Sequence, residues 1–137
     1  MLLSIPRNAL LWAIAGVGIE IFAYPRWSFF PVAYPVLAFY LMASYQIKTI
    51  RQALILGAIV TLIAAFGAFH WISFVMSEMG GFPWPVAVLI HAAFSLICLP
   101  NFNAFFLLAF LWKARVEALP LAFRPLFWSL LWVSLEF

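Results

Sequence analysis

Long runs without charge constrain this chain more than any other feature of its sequence. Residues 53–76 and 86–112 contain no Asp, Glu, Lys or Arg. At about 1.5 Å of rise per residue, a helix over either run would exceed the roughly 30 Å hydrocarbon layer of a bilayer. Only 8% of the residues are charged and 69% are hydrophobic, whereas soluble domains carry roughly 25% charged residues. The sequence therefore predicts an integral membrane protein.

The predicted fold class is an all-α integral membrane protein, a bundle of four transmembrane helices plus the start of a fifth, in one domain over residues 1–137. The spans are predicted at residues 8–24, 27–46, 53–76, 86–112 and 126–137. Pro100 predicts a bend in the fourth span, because proline removes a backbone hydrogen bond from a helix. The fifth run offers about a dozen of the roughly 20 residues that a span needs. We therefore expect the fifth span to be incomplete.

The basic residues predict the orientation of these spans. With a cytoplasmic amino terminus, only Arg26 would lie outside, which agrees with the excess of Lys and Arg in cytoplasmic loops. The six others would lie inside: Arg7, Lys48, Arg51, Lys113, Arg115 and Arg124. The net charge of +3 is then explained by topology and contact with anionic lipid, and no nucleic-acid partner is expected.

Residues 66–85 concentrate the unusual residues of the chain around a predicted outer loop. Paired glycines permit a tight reversal, prolines set the start of the next helix, and tryptophans suit the boundary between water and lipid. A purely structural hairpin explains this stretch, and a lid or support on the outer face is the functional alternative. The candidate loop and lipid-groove positions are His70, Trp71, Gly80, Gly81, Pro83 and Trp84.

Polar groups inside the predicted spans require partners, because an unpaired polar group in hydrocarbon is costly. Glu20 is expected to pair with Arg26 or to reach the surface, with lipid headgroup binding as the alternative. The amides of Asn101 and Asn103 are expected to join helices. His70 and His91 could share a depth, but two histidines without further ligands give no metal site, and no cofactor is expected.

No catalytic set can be assembled from the sequence. Cys98 lies within the fourth predicted span, where it is interpreted as a small buried apolar side chain, since no base or positive charge that would activate it is visible. No arrangement of nucleophile, base and oxyanion donor is found. No catalytic residue is therefore assigned.

Several short segments nevertheless follow the order and spacing of a known family. The segments are Phe22-Ala23-Tyr24-Pro25 with Trp27 and Pro31, Phe66-Gly67 with His70-Trp71, Gly80-Gly81-Phe82-Pro83, and Trp132 to Glu136-Phe137. Together they resemble the amino-terminal membrane portion of the bacterial apolipoprotein N-acyltransferases.

The resemblance implies an inner-membrane enzyme that moves an acyl chain from a phospholipid to the amino-terminal cysteine of a lipoprotein. In that family a separate nitrilase-like domain carries the catalytic Glu, Lys and Cys, and no such domain is present in these residues. Cys98 matches no family nucleophile, and Glu136, which resembles an acidic residue of the family, is given no role. The implied partners are phospholipid, a lipoprotein substrate and a nitrilase-like catalytic domain, whether the chain is a fragment or half of a split enzyme.

A second class of function remains open from the sequence. The chain could be a non-catalytic small membrane protein, such as a scaffold or a transporter subunit. A transporter is expected to bury charged coupling groups in the middle of the membrane or to show paired broken helices. Asn101, Asn103 and Pro100 match only half of this transporter pattern.

Overall fold

The computed structural model describes residues 5–23 and 33–136. Over these ranges the chain forms seven α-helices and no strand. The helices are α1 Arg7–Ala23, α2 Ala33–Tyr45, α3 Ile50–Ala68, α4 Trp71–Glu78, α5 Trp84–Cys98, α6 Asn101–Glu117 and α7 Phe123–Glu136. The predicted turn at Pro25 and Arg26 lies outside the described residues.

The third predicted span is divided into two helices. Helix α3 starts after Thr49, whose side chain accepts a hydrogen bond from the backbone N–H of Gln52 and so caps the first turn. It ends at Ala68, and α4 begins at Trp71 after a break at Phe69 and His70. The prediction of one continuous helix over residues 53–76 was therefore wrong in its last third, where no charge or proline marks the break.

The fourth predicted span is also two helices, and here the sequence did mark the break. Helices α5 and α6 meet at Leu99 and Pro100 with a bend of 45°. Proline has no backbone N–H and disfavours a helical conformation at the residue before it. Leu99 accordingly leaves the helical region, at φ −116° and ψ 60°. The bend predicted from Pro100 is confirmed.

The expected bundle of four membrane spans and part of a fifth is not confirmed. Among the described residues, α3 is the one single helix that is long and apolar enough to cross a bilayer. The bent pair of α5 and α6 meets the same standard only when it is counted as one span. Helix α1 has 17 residues, α2 has 13 and α7 has 14, and each is shorter than the roughly 20 residues expected for a span.

The main hydrophobic core is formed by α1, α2, α3, α6 and α7. Its centre is Tyr40, fully buried on α2. The Tyr40 ring lies 5.7 Å from Phe106 and 5.5 Å from Trp132, centroid to centroid, within the range in which aromatic pairs attract. Among the described residues, none of α4 or α5 belongs to this cluster or to the partly buried hydrophobic side chains packed against it.

Glu20 is buried against this core. The Tyr40 hydroxyl donates a hydrogen bond to Glu20 Oε2, and only 9% of Glu20 is exposed. The expectation that Glu20 reaches the surface was therefore wrong: a carboxylate near the end of a helix can also turn inward when a buried hydroxyl faces it. Its pairing with Arg26 falls outside the described residues.

Helices α3 and α6 pack closely because glycine and asparagine face one another. A Cβ added to Gly57 would lie 2.7 Å from the Cα of Asn103, so only glycine allows this approach. The Asn103 amide in turn donates to Thr61 Oγ1 at 3.5 Å. The prediction that an amide of this segment joins two helices is confirmed for Asn103.

Two cations stabilise one end of the bundle by binding backbone carbonyls. Lys113 Nζ donates to the carbonyl of Ile47 at 2.7 Å, which joins the last turns of α6 to the segment between α2 and α3. Arg124 donates to the carbonyls of Glu117 and Leu119. The structure thus brings Lys113 close to the segment that carries Lys48.

Candidate functional site

Helices α4 and α5 form a short hairpin beside the last turn of α3. The turn between them depends on its two glycines. Gly81 has a φ of +68°, a conformation that residues with a Cβ rarely adopt. A Cβ at Gly80 would lie 2.6 Å from the carbonyl oxygen of Met76. The predicted tight reversal is confirmed, and α5 begins directly after Pro83.

Three of the six candidate positions meet at one cleft, which we call the α4 cleft. It has a volume of about 490 Å³. Trp71 and Trp84 stand at its walls and are each 54% exposed. The cleft is lined by Phe66, His70, Trp71, Ser73, Phe74, Trp84 and Val88. The structure therefore brings His70, Trp71 and Trp84 together, whereas Gly80, Gly81 and Pro83 shape the turn and do not line this cleft.

A polar pair that the sequence did not reveal joins the two helices of the hairpin. Ser73 Oγ on α4 lies 2.8 Å from His91 Nδ1 on α5. Both side chains are buried, and the Phe66 ring packs edge-on against the imidazole with its centroid 4.7 Å away. His91 therefore pairs with Ser73 rather than with His70. The signal in the sequence was the hairpin itself, which places residues on either side of a short turn opposite one another.

The second nitrogen of His91 has a different environment. Among the described residues, no hydrogen-bond partner reaches Nε2, although it is buried. Leaving such a group unsatisfied costs about 1–3 kcal/mol. The neighbouring Ser95 Oγ donates to the carbonyl of His91 at 2.7 Å and is not a partner of Nε2 in the described part of the chain.

His91 also lines a second cleft, which we call the α5 cleft. Its volume is about 260 Å³, and Trp71 is shared with the α4 cleft. The lining residues are Phe69, Trp71, Ile72, His91, Phe94, Ser95 and Leu99. Apart from His91 and the internally bonded Ser95, these walls are aromatic or aliphatic. The cleft therefore suits an apolar group.

The Ser73–His91 pair was compared with the groups that a catalytic set requires. The distance from Ser73 to His91 is within the range of a nucleophile and its base. A catalytic pair of this kind also needs a group that orients the base and donors for the oxyanion. Over the part of the chain that the structure describes, Nε2 meets no carboxylate, and no three His, Cys, Asp or Glu side chains gather as a metal site requires.

Cys98 is not buried as the sequence analysis predicted. It is exposed at the last residue of α5, so the interpretation as a buried side chain was wrong. The bend at Pro100 ends α5 here and leaves the last turn of the helix outside the core. Cys98 is also not among the residues that line either cleft of the hairpin.

Comparison with known proteins identifies one family. The model of the apolipoprotein N-acyltransferase N-terminal domain matches residues 9–137, which is nearly the whole chain. No curated protein and no solved structure matches it.

Proposed function

Because this chain belongs to the apolipoprotein N-acyltransferase N-terminal domain family, we propose that it is the membrane-embedded part of an enzyme that N-acylates lipoproteins. The reaction moves an acyl chain from a phospholipid to the free amino group of a lipoprotein's amino-terminal cysteine. The chain sits in the bacterial inner membrane as a multi-pass protein with its amino terminus in the cytoplasm. The family match over residues 9–137 is the observation that carries this proposal.

The distribution of apolar side chains supports the membrane location. Leu89 and Ile97 on α5 are 69% and 76% exposed. Exposure of such apolar side chains is unfavourable in water but not in lipid. Several small polar side chains are instead turned inward: Ser44, Thr61, Ser73 and Ser95. Polar groups that face the protein interior are typical of helices in hydrocarbon, where no water is present to bind them.

Acyl transfer between two lipids explains why such an enzyme needs a membrane base. Pulling an acyl chain into water costs about 0.8 kcal/mol for each methylene. A site held at the bilayer surface avoids this cost, because chains approach laterally between helices. In the proposed arrangement the hairpin of α4 and α5 supports the catalytic domain above the membrane, and phospholipid reaches it along the clefts beside Trp71.

The catalytic residues are proposed to come from a nitrilase-like domain outside these residues. Ser73 and His91 pair a hydroxyl with an imidazole, but both side chains are buried. The chain is thus proposed to hold substrates and a catalytic partner rather than to perform the chemical step.

The test is an N-acylation assay on the full chain in phospholipid vesicles with isotopically labelled acyl chains. A diacylated lipopeptide with a free amino-terminal cysteine is the acceptor, and mass spectrometry follows the gain of one labelled acyl group. The chain alone should give no product. The chain together with the nitrilase-like domain encoded in the same genome should give product, and that domain alone in the same vesicles should give far less.

The matched variants are Gly80→Val with Gly81→Val in the turn, and Gly18→Ala in α1, where an added Cβ meets no atom within 4 Å. The turn variant should lower the rate at equal protein level, because both substitutions strain the hairpin. Equal rates with and without the chain would overturn the proposal and favour a scaffold or a transporter subunit. Product from the chain alone would contradict the assignment of catalysis to a second domain.

A further inference from the structure

A further cleft lies between α6 and α7, and we call it the α6 cleft. Its volume is about 290 Å³. The Phe127 ring of α7 packs edge-on against Trp112 of α6, with the ring centroids 5.6 Å apart. This aromatic pair joins the two helices and gives the cleft apolar walls. The lining residues are Trp112, Arg115, Val116, Leu119 and Phe127.

The three cations in this part of the chain are used in different ways. Lys113 and Arg124 donate to backbone carbonyls. Arg115 is exposed and has no hydrogen bond or ion pair within the described part of the chain. It is also the one charged residue among those that line the α6 cleft there. The guanidinium of Arg115 is thus available to an external anion, and its planar donors match the oxygens of a phosphate.

The carbonyls at the end of α6 do not oppose an anion at this position. Carbonyls without a partner at a helix C-terminus carry partial negative charge. Here Arg124 donates to the carbonyls of Glu117 and Leu119, at 2.7 Å and 3.1 Å. The same contacts hold the start of α7 against the end of α6, one turn before Phe127 reaches the cleft. Arg124 therefore shapes the cleft and offsets the negative charge next to Arg115.

The α6 cleft lies at the opposite end of α3 from the hairpin. Along α6, Asn103 meets Gly57 within α3, and Lys113 bonds to Ile47, just before α3 begins. Helix α3 has 19 residues and a length of about 28 Å, close to the thickness of the hydrocarbon layer. Arg115 follows Lys113 by about 3 Å of helix. Its guanidinium is therefore at the level of the lipid headgroups, in the leaflet opposite the hairpin.

From these observations we infer that the α6 cleft binds an anionic phospholipid of this leaflet, with its phosphate on Arg115 and an acyl chain against Trp112 and Phe127. A zwitterionic headgroup brings a cation next to the guanidinium and binds less tightly. Basic pockets between membrane helices are suited to anionic headgroups. This lipid is not an acyl donor, because it binds in the leaflet away from the hairpin and stays intact.

The inference rests on the membrane location within the proposed function, but not on acyl transfer. Flotation of the full chain with phosphatidylcholine vesicles separates the two. A chain that does not float would contradict the membrane location and this inference with it. A chain that floats but binds anionic and zwitterionic lipid equally would overturn only the inference about the α6 cleft.

The binding test is native mass spectrometry of the full chain in detergent, titrated with phosphatidylglycerol or phosphatidylcholine that carry the same acyl chains. The first phosphatidylglycerol should bind about five-fold more tightly than phosphatidylcholine, as expected for one arginine next to an anionic lipid. Excess glycerol 3-phosphate, which has the anionic group without acyl chains, should not displace it. Displacement at the concentration at which the lipid binds would overturn the inference, because the site would then take a soluble phosphate.

Variants test whether the preference depends on this cleft. Arg115→Gln should remove the preference for phosphatidylglycerol, and Arg115→Lys should keep most of it. Arg51→Gln is the matched control, because Arg51 is an exposed cation in the first turn of α3 and does not line the cleft. It should leave the preference unchanged. Equal losses at the two positions would overturn the inference, since overall charge would explain them, and so would an unchanged preference in Arg115→Gln.

Discussion

The core around Tyr40 is densely packed, whereas the hairpin of α4 and α5 borders open clefts. Tyr40 is surrounded by aromatic rings from α6 and α7, and its hydroxyl is bonded to Glu20. No residue of the hairpin belongs to that core cluster among the described residues. The hairpin is flanked by two clefts and contains a buried nitrogen without a partner there. Dense aromatic packing gives stability, whereas an open cleft with apolar walls is typical of a binding site.

The core and the hairpin also differ in how firmly they are attached to the rest of the protein. The helices of the core are joined by close contacts such as Gly57 against Asn103. The hairpin is attached mainly through α3 and through contacts between its own two helices. A region with few core contacts opens more readily than the rest of a protein. We therefore expect substitutions in the core to change global stability and those in the hairpin to act locally.

The largest effect is expected at the centre of the core. Tyr40→Ala should lower the free energy of unfolding by about 3–5 kcal/mol, because it removes a fully buried ring and leaves a cavity. Thermal unfolding of the detergent-solubilised protein, followed by circular dichroism, measures the loss. The matched control is Tyr45→Ala on the same helix, where Tyr45 is 41% exposed, and it should change stability by less than about 0.5 kcal/mol. Similar losses for the two variants would remove Tyr40 as the centre of the core.

A smaller effect is expected where two core helices approach. Gly57→Ala should cost about 1–3 kcal/mol, because the new Cβ meets the backbone of Asn103 and forces α3 and α6 apart. Gly18→Ala adds the same methyl group to a helix where nothing lies within 4 Å. It should be neutral or stabilise by up to about 1 kcal/mol, because alanine favours helices over glycine. Chemical denaturation of both variants in the same detergent tests the pair, and a stable Gly57→Ala protein would mean that the helices are free to separate.

The smallest effect is expected in the hairpin. Ser73→Ala should cost about 1 kcal/mol, the value of one buried hydrogen bond, and it should appear as faster amide hydrogen exchange in α4 and α5 with little change in the global midpoint. Ser44→Ala is the control, because both serines are 2% exposed but Ser44 bonds only within its own helix. If Ser73→Ala instead lowers exchange protection throughout α1, α2 and α6, the hairpin and the core form one cooperative unit and the comparison is wrong.

The sequence determined the features that depend on neighbours along the chain. Apolar runs predicted helices, Pro100 predicted the bend at the start of α6 because it lacks an N–H, and Gly80 with Gly81 predicted the turn because glycine permits a tight reversal. The same runs overestimated the length of the helices, since hydropathy does not report where a continuous apolar helix stops. The break at Phe69 and His70 has no such local cause.

Only the tertiary structure decided which side chains meet. Residues 18 positions apart, Ser73 and His91, are joined because α4 folds back on α5, and Glu20 turns inward because Tyr40 comes from another helix. A single polar residue in an apolar segment has many possible partners, and the residues next to it in the sequence do not indicate which partner it contacts. Helix packing selects the partner, because a buried polar group can bond only to groups that the packed backbones bring within reach.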